Sequence, residues 1–150
     1  MNLRGAKLAF STTNGTVSIL AAADAERTLV GCFSNLAALQ RLLVSKPQDL
    51  VILCSGWQSN FCVEDTLFAG ELCEQLIKSG CYKTDNDAAF MAMDLWHQGR
   101  RDPYRYCLER ASHIQRLIGF GARRDIEYAF RHDTCPWVPT LKDGVLVAEQ

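Results

Sequence analysis

The sequence lacks the marks of several common protein classes. Its seven cysteines form no C-x-x-C pair, and its three histidines form no H-x-x-x-H or H-E-x-x-H pattern, so the usual zinc spacings are absent. No apolar run approaches the roughly 18 residues that span a bilayer, and the N-terminus carries no signal-peptide pattern. The sequence therefore predicts a cytoplasmic protein with no membrane partner, in which most thiols are reduced and buried as small apolar groups.

Neither sign of charge is in excess. Sixteen basic and seventeen acidic residues give a net charge of −1 and a pI of about 6.3. A protein that binds a phosphate backbone normally carries a clear cationic excess, so a nucleic-acid partner is not expected. With 150 residues, 48% of them hydrophobic, the chain is predicted to form a single domain over 1–150.

The pattern along the chain alternates between predicted strands and predicted helices. Predicted strands cover residues 7–11, 27–32 and 49–54; predicted helices cover 17–23, 36–44, a segment beginning near Glu64, 85–97, 103–118 and 124–130. Residues 137–141 and 145–148 are compatible with a closing hairpin. Such alternation is typical of α/β layering with a largely parallel sheet, here more helical after Gly80.

The first candidate site is the run Thr12-Thr13-Asn14-Gly15-Thr16, between a predicted strand and a predicted helix. Gly15 permits a positive φ and Asn14 tolerates one, so this backbone can form an anion-binding nest. The hydroxyl groups of Thr13 and Thr16 add hydrogen-bond donors for a phosphate. Many turns of this composition only begin a helix, and the residues alone leave both interpretations open.

The second candidate site is Glu64-Asp65, at the start of a predicted helix that follows a buried strand and the Cys54-Ser55-Gly56 corner. Open α/β sheets bind ligands at the carboxyl ends of their strands. One or two carboxylates with substrate oxygens are the usual ligands of Mg²⁺. Carboxylates in a first helical turn also stabilise the helix dipole without any ligand, which is the competing interpretation. Cys54 is interpreted as a packing residue at the edge of this site rather than as a nucleophile, because no histidine is near it in sequence.

Several segments together resemble the 2-phosphosulfolactate phosphatase family. The resemblance is carried by residues 11–16, by Val30-Gly31-Cys32-Phe33-Ser34-Asn35, and by Cys54-Ser55-Gly56 followed by Glu64-Asp65-Thr66-Leu67-Phe68-Ala69-Gly70. Arg116-Leu117-Ile118, Asp125-Ile126 and Val138-Pro139 resemble the family's later segments. The resemblance covers essentially the whole chain.

The resemblance implies a three-layer α/β/α fold and a Mg²⁺-dependent acid phosphatase that converts 2-phospho-3-sulfolactate to 3-sulfolactate and phosphate in coenzyme M biosynthesis. Glu64 and Asp65 would then be the catalytic, metal-binding residues. Thr13, Asn14, Gly15 and Thr16 would bind the phosphate of a small anionic metabolite. The family's Asp-Val-x-Arg-Ala-Thr motif is absent here, so the chain is expected to match only the family's later part. The alternative is a non-catalytic half-domain or phosphometabolite-binding module that needs a partner to supply the missing N-terminal half. A homo-oligomer is the other open assembly.

Overall fold

A computed structural model of the chain describes Ala9 and residues 11–150. Within that part the fold is mainly helical. The elements are α1 (Gly15–Ala21), α2 (Leu36–Ser45), α3 (Val63–Lys78), α4 (Asp87–Gly99), α5 (Pro103–Arg110), α6 (Ser112–Gly119), α7 (Arg123–Ala129), β1 (Val138–Lys142) and β2 (Val145–Glu149). No helix in the described part is both long and apolar enough to cross a membrane.

The predicted three-layer α/β/α fold with a largely parallel sheet is wrong. Among the described residues the sheet is the two-stranded antiparallel hairpin of β1 and β2. The predicted strand at 27–32 makes only an isolated antiparallel bridge, Leu29 with Thr140, flanked by hydrogen bonds from Val30 N to Pro139 O and from Leu141 N to Thr28 O. The predicted strand at 7–11 lies mostly outside the described residues.

Residues 47–56 show why the parallel sheet is missing. This segment has no helix, turn or bend and no ladder partner among the described residues. Val51, in its middle, is 88% exposed. The apolar run therefore marks a segment suited to a sheet, but a strand needs a neighbour to pair with, and no described segment forms a ladder with this one.

The core is organised around α3, which contributes to two apolar clusters. Leu67 belongs to one cluster, with Phe33, Trp96 and Ile114, while Leu72 and Leu76 belong to the other, with Leu36, Leu39 and Val138. The spacing of Phe68, Leu72 and Leu76, with Leu67 and Ile77 beside them, predicts the buried face of this helix. Leu67, Leu72 and Leu76 are buried, Phe68 is half-buried and Ile77 is exposed. The clusters hold the first turn of α3, which carries Glu64 and Asp65, in place.

Gly70 allows α3 and α4 to approach closely. A Cβ at this position would lie 2.0 Å from the carbonyl oxygen of Ala92 and 2.9 Å from Cβ of Trp96. Real Cβ atoms do not come this near to a backbone oxygen, so only glycine fits between the two helices. This close contact fixes the position of α4 against α3.

The predicted single helix over 103–118 is divided in two. Ala111 is buried and has an extended backbone, with φ −88° and ψ 111°, between α5 and α6. Alanine is the best helix former, so local propensity gives no sign of this break. The predicted closing hairpin is confirmed, with Asp143 and Gly144 at positive φ in its turn, as a tight hairpin turn requires.

Candidate functional site

The site is built where the unpaired segment 47–56 turns into α3. Asp65 Oδ2 accepts a hydrogen bond of 2.7 Å from the backbone N–H of Gly56. Gly56 has φ +67°, and a Cβ there would lie 2.6 Å from the carbonyl oxygen of Asn60. The predicted proximity of the Cys54-Ser55-Gly56 corner to Asp65 is therefore present, and the glycine is required by the turn.

A cavity of about 560 Å³ opens beside this corner. Its walls are mostly apolar side chains from the segment 50–54, α2, α3, α6 and α7. Its polar groups are Cys32, Cys54, Ser55, Glu64, Asp65 and Asp125. A largely apolar cavity with a few convergent polar groups is the usual form of a small-molecule site.

The electrostatics of the cavity are dominated by negative charge. Burial raises the pKa of Asp65, and the nearby carboxylate of Glu64 raises it further, against the lowering effect of the Gly56 N–H. Partial burial of the thiol and the charge of Asp65 raise the pKa of Cys54. A thiol with a raised pKa is a poor nucleophile, but Cys54 is exposed and is not the packing residue that the sequence predicts.

Glu64 faces a different set of groups from Asp65. Glu64 Oε1 lies 2.9 Å from Nδ1 of His113, a residue of α6. Glu64 Oε2 is buried and has no hydrogen-bond partner among the described residues. The indole of Trp57 stacks on the His113 ring, with centroids 5.2 Å apart and planes 13° apart. Successive helical residues point about 100° apart, which separates the two carboxylates.

Sequence reasoning missed two residues of this region. His113 lies 49 residues from Glu64 along the chain, so no spacing rule connects them. Asp125 is identified from the sequence only through the family resemblance, but it lines the cavity. Both residues reach the site through the packing of α6 and α7 onto the core, which a linear motif does not encode.

The predicted phosphate motif lies elsewhere on the molecule. Thr13, Asn14, Gly15 and Thr16 stand at the start of α1, and none of them lines the cavity. The expectation of a positive φ at Gly15 is wrong, because Gly15 is the first residue of α1 and has helical backbone. Thr12 and Thr16 bond each other's backbone N–H through their hydroxyl oxygens, at 3.1 Å and 2.9 Å, which stabilises the helix start. A role of these residues in binding phosphate stays a prediction.

Relatives of the chain agree with the family resemblance. The family model described as 2-phosphosulpholactate phosphatase matches residues 1–144. A probable 2-phosphosulfolactate phosphatase of Prochlorococcus marinus (strain MIT 9303) is 37% identical over 149 residues, covering 96% of this chain and 61% of that protein. The protein of that name from Caldanaerobacter subterraneus subsp. tengcongensis is 29% identical over 150 residues, covering 99% of this chain and 61% of that protein.

A third relative, from Thermotoga petrophila, has the same name and is 28% identical over 148 residues, with 99% of this chain and 62% of that protein covered. The chain thus spans about three fifths of the length of the curated relatives it matches. The family model runs through the corner at residues 54–56, the acidic start of α3 and the cavity between them. The chain belongs to the 2-phosphosulpholactate phosphatase family.

Proposed function

We propose that this chain provides the acidic corner of a phosphate monoester hydrolase, and that its substrate is 2-phospho-3-sulfolactate or a similar phosphorylated acid. The observation that carries the proposal is the cavity beside Gly56 and Asp65, where two carboxylates stand at the turn into a helix. The names of the relatives support the substrate class.

Mg²⁺ is the proposed cofactor, and the donor set of the cavity fits it. Asp65, Glu64, Asp125 and the hydroxyl of Ser55 are all hard oxygen donors, the type that Mg²⁺ prefers. Burial raises the pKa of Asp65, and a cation bound beside this carboxyl would favour its charged form. Asp65 and Glu64 would hold the ion directly or through water. When bound, it would neutralise phosphoryl charge and orient water.

The negative charge of the cavity indicates that binding of the anionic substrate needs groups in addition to these residues. The substrate carries a phosphate, a carboxylate and a sulfonate, yet the cavity is lined by three carboxylic acids and, within the described residues, by no lysine or arginine. An anion would be repelled from such a cavity unless cations were supplied. Mg²⁺ would supply part of this charge. Cationic groups from outside the cavity would supply the rest, because the hydroxyls of Thr13 and Thr16 are uncharged and do not line it.

The second candidate function is a half-domain that acts only with a partner. Two observations favour it: the unpaired segment 50–54 lines both the cavity at Asp65 and a second one of about 990 Å³, and the chain matches only about 61% of its relatives' length. A partner that carries the remaining part of a relative would cover this unpaired segment. The same partner would bring cationic groups to the substrate.

Release of inorganic phosphate from 2-phospho-3-sulfolactate, with and without Mg²⁺, tests both candidates. We expect very low release by the chain alone and a large increase when the remaining part of the Prochlorococcus relative is added, because losing one charge-stabilising group at a phosphoryl centre costs about 10³-fold or more. Full turnover by the chain alone would contradict the half-domain candidate. No release in either mixture would contradict the phosphatase proposal.

A further inference from the structure

The start of α3 holds a second group of side chains of metal-ligand type, which shares Glu64 with the oxygen-lined cavity but differs from it in chemistry. Cys62 Sγ, a carboxylate oxygen of Glu64 and a ring nitrogen of His113 all lie within 4.8 Å of one another. Cys62 immediately precedes α3 and is 6% exposed, and Glu64 and His113 are half-buried. We propose that these three side chains bind a borderline-soft divalent cation, of which Zn²⁺ is the natural example.

The ligand types decide which cation is suited. A thiolate, an imidazole and one carboxylate are softer than the all-oxygen set of the cavity, and this combination favours Zn²⁺ or Co²⁺ over Mg²⁺. Three protein ligands leave the fourth tetrahedral position for water. Ligand atoms around such an ion, with bonds of about 2.0 to 2.3 Å, lie roughly 3.5 Å apart. The 2.9 Å separation of Glu64 Oε1 and His113 Nδ1 and the 4.8 Å limit for the set bracket this value.

An independent observation points to a missing ligand at this position. Glu64 Oε2 is buried without a hydrogen-bond partner among the described residues, although a buried carboxylate oxygen is normally paired. A cation bound between Glu64 and Cys62 would satisfy this oxygen. Without the cation, the unpaired buried carboxylate oxygen lowers the free energy of unfolding of the protein.

Aromatic packing restricts the orientation of the His113 ring. Trp57 stacks on the imidazole at 5.2 Å and holds the plane of the ring. The guanidinium of Arg116 lies over the Trp57 ring, 5.5 Å from its centroid. The stack restricts the orientation of the imidazole, whose Nδ1 lies 2.9 Å from Glu64 Oε1.

Binding is balanced by the release of a proton. The Cys62 thiol loses its proton to solvent as its sulfur bonds to the ion, and neutral His113 donates its Nδ1 lone pair to the ion. No oxidant or other reactant is needed. The pKa of Cys62 is raised by burial and by Glu64, so in the metal-free protein the thiol is protonated.

Cobalt binding to the reduced 150-residue chain tests the site. We expect one equivalent of Co²⁺ to give the intense visible absorption of a tetrahedral ion together with a thiolate-to-cobalt charge-transfer band. The Cys62→Ser variant should lose the charge-transfer band and bind at least about 100-fold more weakly, because even loss of an outer-shell partner costs roughly 10- to 100-fold. The Cys81→Ser variant, at an exposed cysteine, is the matched control and should bind like the parent. A charge-transfer band that survives in Cys62→Ser would overturn the proposal.

A measurement on the unmutated chain removes any dependence on the folding of a variant with a changed buried cysteine. X-ray absorption of the chain loaded with one equivalent of Zn²⁺ should show one sulfur neighbour at about 2.3 Å and nitrogen or oxygen neighbours at about 2.0 Å. A shell of nitrogen and oxygen alone would overturn the proposal. Both readouts report metal binding and not phosphate release, so they are independent of whether the chain is a phosphatase.

Discussion

Replacing Asp65 with asparagine should separate the fold of the site from its function. Because burial raises the folded pKa of Asp65 above its ordinary value of 3.8, this carboxyl stabilises the fold most at acid pH. That contribution is lost as the pH rises through the raised folded pKa. The amide of asparagine carries no charge at any of these pH values and still offers an oxygen to the N–H of Gly56. We therefore expect the Asp65→Asn variant to be at least as stable as the parent at neutral pH.

The Asp65→Ala variant gives the contribution of the Gly56–Asp65 hydrogen bond to stability. Asp65→Ala is equally uncharged but leaves the Gly56 N–H, now bonded at 2.7 Å, without its acceptor. An unpaired half-buried donor costs about 1 to 3 kcal/mol. The thermal midpoint of the alanine variant should therefore lie below that of the asparagine variant, by roughly 2 to 4 °C for each kcal/mol in a domain of this size.

Thermal unfolding of the parent and both variants, followed by circular dichroism from about pH 4 to about pH 8, is the assay. The thermal midpoint of Asp65→Asn, relative to that of the parent, should increase as the pH rises. A parent that is more stable than Asp65→Asn at neutral pH, or a constant difference across the range, would refute the reasoning that burial destabilises the charged carboxyl.

Two further predictions concern the scaffold. Gly70→Ala should lower the free energy of unfolding by about 1 to 3 kcal/mol or more, because its Cβ would overlap the Ala92 carbonyl. Gly119→Ala should not lower it, because a Cβ there meets nothing within 4 Å. Urea unfolding measures both variants, and equal effects would contradict the close helix contact. The bond of His132 Nε2 to Glu71 Oε2, at 2.8 Å, raises the pKa of His132. The stability that this bond contributes should be full below about pH 6.5 and should be lost as the pH rises through the raised pKa of His132. The parent should therefore exceed His132→Gln in free energy of unfolding by less and less between about pH 6 and pH 9. A constant difference over this range would argue against the pairing.

The helices could be predicted from the sequence because their signals are local. The apolar spacing at Leu36, Leu39 and Leu43 and the stripe of α3 correspond to helices whose apolar faces are buried. The parallel sheet could not be predicted in the same way. An apolar run such as 50–54 indicates a conformation suited to a sheet, but its ladder depends on a neighbouring strand that no local pattern guarantees.

The candidate site could be predicted only in part. The turn from Gly56 to Asp65 is short in sequence, and the Gly56 corner and the helix start place these residues together. The contacts of Glu64 could not be predicted, because His113 is delivered by α6 and oriented by Trp57, both through tertiary packing. Gly15 shows the opposite error: a residue that tolerates positive φ does not need to adopt it, and here it begins a helix.

Calorimetric titration of Mg²⁺ into the parent, the Asp65→Asn variant and the Asp143→Asn control tests the central claim most directly. Asp143 lies in the β1–β2 turn at φ +49°, a conformation that asparagine also tolerates, so its substitution should leave binding unchanged. The proposed site predicts measurable Mg²⁺ binding by the parent and a clear loss of affinity in Asp65→Asn alone. Equal Mg²⁺ affinity in the parent and the Asp65→Asn variant would contradict the assignment of Asp65 as a metal ligand.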